Sequence, residues 1–325
     1  LSCSVANASG TVSSADVTDV AITCSAASVN TWTWINGSNA VNAASSYGTL
    51  GVAAATNTPG SRYATASWIG ADNVRWFFGG SSANGITTVN NDMWKFDGTN
   101  WTWVNGANTA NASGTYGVKG TAAANNVPGA RYFPTSWKDS TGKMWLHGGR
   151  GRDASGTSGY LDDTWRFDGT QWTWIAGGST VNAAANYGTK GVSAGTNTPG
   201  GRYRSVGTSD TTGGAWLFGG IDNAAGYRSD LWQFDGTNWK WVTGPNTTNQ
   251  KGTYGTKGTG GVANTPGARQ DAVAWIDNQG AFWIFGGYGY DSAGTLGGLG
   301  DFWKFANGMW TWVGGSNLVN PVANY

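Results

Sequence analysis

Trp172-Thr173-Trp174-Ile175 recurs in near copies at Trp32-Thr33-Trp34-Ile35, Trp101-Thr102-Trp103-Val104, Trp239-Lys240-Trp241-Val242 and Trp310-Thr311-Trp312-Val313, in steps of 69, 71, 67 and 71 residues. A fixed step of this size marks an internal repeat, and it decides the architecture before any single side chain is weighed. Three other signals keep the same step. They are Pro-Gly at Pro59, Pro128, Pro199 and Pro266, Gly-Gly at Gly79, Gly148, Gly219 and Gly286, and an aspartate two residues before Trp94, Trp165, Trp232 and Trp303. Four complete units are therefore expected.

Outward from Trp172, the second unit reads as short strands. Residues 131–137 form a first strand and 138–142 a turn. Residues 143–147 form an apolar second strand closed by Gly148-Gly149, and a glycine-rich loop follows. Residues 163–167 alternate as a third strand, Asp168-Gly169-Thr170 turns the chain, and 172–175 is the fourth. Four antiparallel strands with no helical periodicity predict an all-β protein in which each unit is one propeller blade. The blades fall at about 62–104, 131–175, 202–242 and 269–313, inside an array of residues 31–325. Residues 31–35 are then a surplus fourth strand, and residues 1–30 a separate β leader. The two Trp of each fourth strand, two residues apart, are expected to point to one face and stack against one neighbouring surface.

A net charge of +1 with 11% charged residues offers no electrostatic footprint for nucleic acid or an anionic membrane. No apolar run reaches the length of a membrane span. The 54 glycines and 21 tryptophans suit an extracellular chain whose aromatic rings supply most of the burial. Cys3 and Cys24 are the only cysteines, and in such a chain they predict a disulfide. Closing that loop is worth roughly 3 kcal/mol on the chain-entropy model.

The repeated marks also carry a family resemblance. Arg62 opens the first strand, Gly79-Gly80 closes the second, Asp92 precedes Trp94-Lys95-Phe96, and Trp101 follows; the set repeats through Arg269, Gly286-Gly287, Asp301 and Trp310. This resembles the kelch repeat, over residues 59 to 314. It implies a kelch-type β-propeller of four complete four-stranded blades with long inter-blade loops, or a fifth, irregular blade completed by the N-terminal segment. The leader resembles the end of a bacterial immunoglobulin-like surface module. One departure is an extra stretch between blades, such as Asn182 to Pro199 with Tyr187-Gly188-Thr189, which recurs around Tyr47, Tyr116 and Tyr254.

Residues present in every unit serve what every unit needs. Arg62, Arg131, Arg202 and Arg269 are expected to pair with Asp92, Asp163, Asp230 and Asp301, because a buried guanidinium requires a carboxylate. Residues that break the repeat are the candidates for binding a ligand or partner. They gather in the loops after Gly-Gly: Arg150, Arg152 and Tyr160, then Tyr227 and Arg228, then Tyr288 and Tyr290. Kelch-like copper oxidases would need histidine and tyrosine ligands and a cysteine linked to tyrosine. Here the single histidine, His147, replaces Phe78, Phe218 and Phe285 in an apolar strand, and both cysteines lie in the leader. No metal, cofactor or catalytic residue is expected. The expectation is a non-enzymatic extracellular structural or adhesive protein, assembling head to tail with itself into a surface fibre or layer. A carbohydrate-binding module is the alternative. Expected partners are other copies, glycans or other surface proteins, without nucleic acid or membrane insertion. The chain starts in one module and stops within an inter-blade stretch, which favours the polymer.

Overall fold

The computed structural model describes residues 2–6, 21–25, 31–70, 73–82, 88–210 and 212–322, the first two segments by their backbone alone. The chain divides into two parts, Leu1–Asn36 and Gly37–Tyr325. In the first, Ser2–Ala6 and Ala21–Ser25 pair antiparallel, with Cys3 opposite Cys24 in the register. The expected disulfide falls on side chains outside the described residues. The strand expected at 31–35 is absent. The segment joins no ladder, and Trp32, Trp34 and Ile35 are exposed at 103, 67 and 64%. A strand exists only against a neighbour, and among the described residues none pairs with this segment.

The second part is built from antiparallel sheets, and among the described residues it has no α-helix. In unit two, Thr135–Lys138, Met144–His147, Thr164–Phe167 and Trp172–Ala176 lie in that order across one sheet. Units one, three and four repeat the order. A bulge sits at the same place in each, between the residue before the third-strand Trp and that Trp: Met93/Trp94, Thr164/Trp165, Leu231/Trp232 and Phe302/Trp303.

The single first strand expected over 131–137 is in fact two pieces. Arg131–Tyr132 pairs with Arg150–Arg152 beyond the Gly-Gly turn, and only Thr135–Lys138 joins the main sheet. The break falls at Phe133, whose φ is +50°, and the same position is left-handed at Ala64, Arg204 and Asp271 (φ +57°, +57° and +54°). Non-glycine residues hold that conformation only where surrounding contacts fix it. Here they are fixed by a backbone chain from unit to unit: Phe133 N–H donates to Ala64 C=O, Arg204 N–H to Phe133 C=O, and Asp271 N–H to Arg204 C=O.

The inter-unit stretches are a fifth strand. Ser193–Ala194 pairs with Trp239 and Lys240, and Gly260–Gly261 with Trp310 and Thr311. Ala54 and Ala123 form single bridges to Trp101 and Trp172. Each stretch thereby covers the fourth-strand edge of the unit that follows it in sequence, an edge that would otherwise offer unpaired N–H and C=O groups.

Consecutive units meet through aromatic rings. Phe78 lies 5.2 Å from Trp172, His147 4.8 Å from Trp239, and Phe218 5.5 Å from Trp310. The Gly-Gly turns seal the same junctions. Gly80, Gly149 and Gly220 donate to the carbonyls of Arg131, Arg202 and Arg269 at 2.8 Å each. Gly79 and Gly80 have φ of +66° and +91°, and a Cβ on Gly79 would lie 2.8 Å from the Arg131 carbonyl, so no larger residue fits.

Candidate functional site

One buried polar centre recurs in every unit. In unit two, Asp163 Oδ1 accepts from Arg131 Nη1 at 2.6 Å, and Oδ2 accepts from Arg131 Nη2, Trp165 Nε1 and Tyr116 Oη at 2.7 Å each. Arg131 also donates to the carbonyls of Gly148 and Gly129 at 2.9 Å, and both side chains of the pair are fully buried. Arg62–Asp92, Arg202–Asp230 and Arg269–Asp301 are bidentate in the same way. Tyr47, Tyr187 and Tyr254 complete them with hydrogen bonds of 2.9, 2.7 and 2.6 Å. Burial would raise the Asp163 carboxyl, but Arg131 and four hydrogen bonds hold it below the usual carboxylate range. Burial first, then the Asp92 charge, push the Tyr47 phenol up to about 12. With four donors on the carboxylate and both charged side chains fully buried, the centre acts as a joint.

The tyrosines of these joints were not assigned a role from sequence. The signal was present, since Tyr-Gly keeps the repeat step, but the hydrogen bond spans 47 residues for Tyr116 and no local rule reaches that far. Nor do the paired Trp meet one surface as expected. Trp172 packs on Phe78 of the preceding unit and on Phe167, whereas Trp174 meets Tyr116 at 5.1 Å, under a Lys119 ammonium 4.2 Å from its ring. The inter-unit stretch supplies both groups, and it was the part of the repeat with no strand assigned.

The loops after Gly-Gly bring some of the candidate residues together. Arg150 lies opposite Tyr160 in a short ladder, its guanidinium 5.5 Å from the ring, and Tyr160 meets Tyr203 at 5.3 Å. Tyr227 meets Tyr290 at 5.8 Å and Tyr288 at 6.4 Å. Arg152 donates to Gly156 C=O within its own loop. Arg228 lines a pocket with Tyr187 and Asp222. It turns inward, clamping Asp222 Oδ2 through Nε (2.8 Å) and Nη2 (2.5 Å) and donating to Tyr187 Oη and Asn246 C=O. In units two and four the corresponding aspartates, Asp153 and Asp291, instead accept the backbone N–H of Val181 and Val319. Unit three has a shorter loop, and Arg228 substitutes for that tie.

The sequence reading missed Tyr63, Tyr132, Phe133, Tyr203 and Arg204, which follow the invariant arginines. Phe133 and Tyr203 meet at 6.3 Å, Tyr132 and Tyr203 at 6.1 Å, and Arg204 lies 3.8 Å over Phe133 while paired with Asp271. Tyr132 is buried in a small core cluster against which Phe133 and Tyr203 pack, while Tyr160 joins Tyr203 and the loop tyrosines Tyr227, Tyr288 and Tyr290 form a second aromatic group. His147 is fully buried, its Nδ1 3.0 Å from Thr164 Oγ1, and Nε2 has no partner. Burial first, and Arg202 next, depress it to about 3, so it is neutral at any physiological pH.

No protein-family model and no curated protein matches the chain. Among solved structures it is similar to that of YjhT, at 12% identity and a TM-score of 0.42, over 77% of this chain and 82% of the other. It is also similar to a novel fungal alcohol oxidase of the AA5 family in complex with copper, at 14% identity and a TM-score of 0.37. That likeness covers 80% of this chain and 54% of the oxidase. The second of these is an enzyme, which overturns the expectation of a non-enzymatic chain as an exclusion. At such similarity neither structure says what this chain does.

Proposed function

We propose that the chain is a kelch-type β-propeller array serving as a structural or adhesive protein of the cell surface, and that it associates head to tail with other copies of itself. The four repeated sheets, each carrying the Arg, Gly-Gly, Asp and Trp marks, support the blade reading over residues 62–104, 131–175, 202–242 and 269–313. One observation carries the assembly reading. Trp32-Thr33-Trp34-Ile35 has the sequence of a fourth strand, yet it lies exposed and outside any ladder. In the complete units the same sequence is flanked by a third strand on one side and an inter-unit stretch on the other. An uncovered segment rich in Trp, Thr and Ile is a template for pairing with another chain, and contacts that do not close generate filaments.

The test is to compare the full chain with one lacking residues 1–37, by light scattering and negative-stain imaging across a concentration series. The expected result is oligomers or filaments from the full chain and folded monomers from the truncated one. A full chain that stays monomeric at high concentration would end the assembly reading. A second reading, binding of glycans, is favoured by the surface of Tyr160, Tyr203, Tyr227, Tyr288 and Tyr290, since rigid aromatic rings are suited to stacking on sugar faces.

A further inference from the structure

Each junction between units joins a trailing face of one to a leading face of the next, and among the described residues of Gly37–Tyr325 no further unit packs on the two outermost faces. On the trailing side, Phe78, His147 and Phe218 are 0, 1 and 1% exposed beneath the next unit, whereas Phe285 at the same position is 49% exposed. Trp68 and Trp137 are 6 and 4% exposed, against 37% for Trp275. Trp275 stacks with the half-buried Trp283 and Phe302, with ring centroids 4.9 to 6.0 Å apart. On the leading side, Leu146, Leu217 and Ile284 are fully buried. Their counterpart Phe77 is half-buried beside a groove of about 390 Å³ lined by Ser67, Trp68, Ile69, Arg75 and Phe77.

The unused backbone groups match as well. Among the described residues, Gly287 N–H makes no bond to a further unit of the kind made by Gly80, Gly149 and Gly220, and Arg62 C=O receives none of the kind received by Arg131, Arg202 and Arg269. The left-handed chain likewise leaves Ala64 N–H at one end and Asp271 C=O at the other.

We propose that the trailing face of unit four binds the leading face of unit one in a second copy of this chain, repeating in trans the junction made three times in cis. This rests on the self-association reading and adds a second contact to that of residues 32–35, the two together being needed for stable association. By position, Phe285 would lie on Trp101 as Phe78 lies on Trp172, and Trp283 on Phe96 as Trp76 lies on Phe167. Arg75 takes the place of Phe282, which stacks on Trp216 at 5.8 Å, and so would set a guanidinium on the Trp283 ring. Gly287 N–H would donate to Arg62 C=O. An exposed apolar knob on one outer unit and an apolar groove on the other make a heterologous contact, which builds an open filament where the rotation between copies does not close a ring.

The experiment uses the full chain and two single variants, Phe285→Arg on the trailing face and Phe77→Glu on the leading face, in sedimentation velocity over a wide concentration range. Wild type should form open-ended oligomers, and each variant alone should associate at least tenfold more weakly. An equal mixture of the two should give dimers that stop at two, because only one good face of each kind is present. That mixing result also establishes that both variants are folded; melting curves are the second control. Variants that oligomerise like wild type overturn this junction. If they do so while removal of residues 1–37 abolishes association, the self-association reading stands and only this interface falls. If wild type is monomeric throughout, both fall.

Discussion

Arg131 and Asp163 are charges that each cost several kcal/mol to strip of water, offset because they pair with one another and the carboxylate accepts four hydrogen bonds. Arg131→Ala leaves that carboxylate buried with Tyr116 and Trp165 alone, and should cost about 3 kcal/mol or more. Tyr116→Phe removes one charge-assisted hydrogen bond and keeps the ring packing, so about 1.5–3 kcal/mol is expected. Urea denaturation of both checks the ranking; a Tyr116→Phe loss as large as that of Arg131→Ala would mean the phenol hydroxyl, not the ion pair, holds the joint. His147 gives a pH-dependent test. Its folded value near 3 lies below the ordinary 6.5, so its contribution is fully present above pH 6.5 and is lost as pH falls toward 3, by up to about 1.4 kcal/mol per unit. The groups facing it are Arg202 and Arg131, which oppose protonation, and Asp163, which favours it. His147→Phe restores the residue of the other units. Its melting temperature should hold steady between pH 6.5 and 4 while that of the parent declines; parallel curves would refute the assignment.

At the scale of elements, the inter-unit stretch is held by one residue more than by its short ladder. Asn126 Nδ2 donates to Thr121 C=O at 3.0 Å and Trp172 C=O at 3.1 Å, and Asn57, Asn197 and Asn264 make the same pair of bonds. One amide thus closes the loop on itself and ties it to the fourth strand. Asn126→Ala should cost about 1–2 kcal/mol and speed hydrogen exchange along Trp172–Ala176 ahead of the rest of the sheet. Exchange that rises evenly over the unit would place the effect elsewhere. Gly117, with φ of +61°, faces Asn126 so closely that a Cβ would strike its Oδ1. Gly117→Ala should therefore destabilise by more than the roughly 1 kcal/mol of backbone strain alone.

For the whole molecule, stability is a sum over units and junctions, as in other repeat arrays. In the loops after Gly-Gly the buried aspartates hold the backbone, and the tyrosine side chains differ from unit to unit. Replacing Tyr288 and Tyr290 together by Ser should leave the melting temperature within a few degrees of the parent while lowering any glycan binding. Unchanged binding on a glycan array, with unchanged stability, would remove this surface from consideration.

The all-β character, the four units and the Arg–Asp partners were legible in the sequence because they rest on local periodicity and on one rule, that a buried charge needs a counter-charge. Trp94, Trp165, Trp232 and Trp303 each follow their aspartate by two residues, so that part of the joint is local too. What closes the joint is not: Tyr116 reaches Asp163 only because its stretch runs back along the sheet of the next unit. The break of the first strand at Phe133 was equally hidden, since a left-handed phenylalanine has no sequence signal and is fixed by a carbonyl of the neighbouring unit. Trp32-Thr33-Trp34-Ile35 makes the same point in reverse. Its sequence is that of a strand, but a strand is a relation between segments, and with no pairing partner among the described residues the segment stays exposed and outside any ladder.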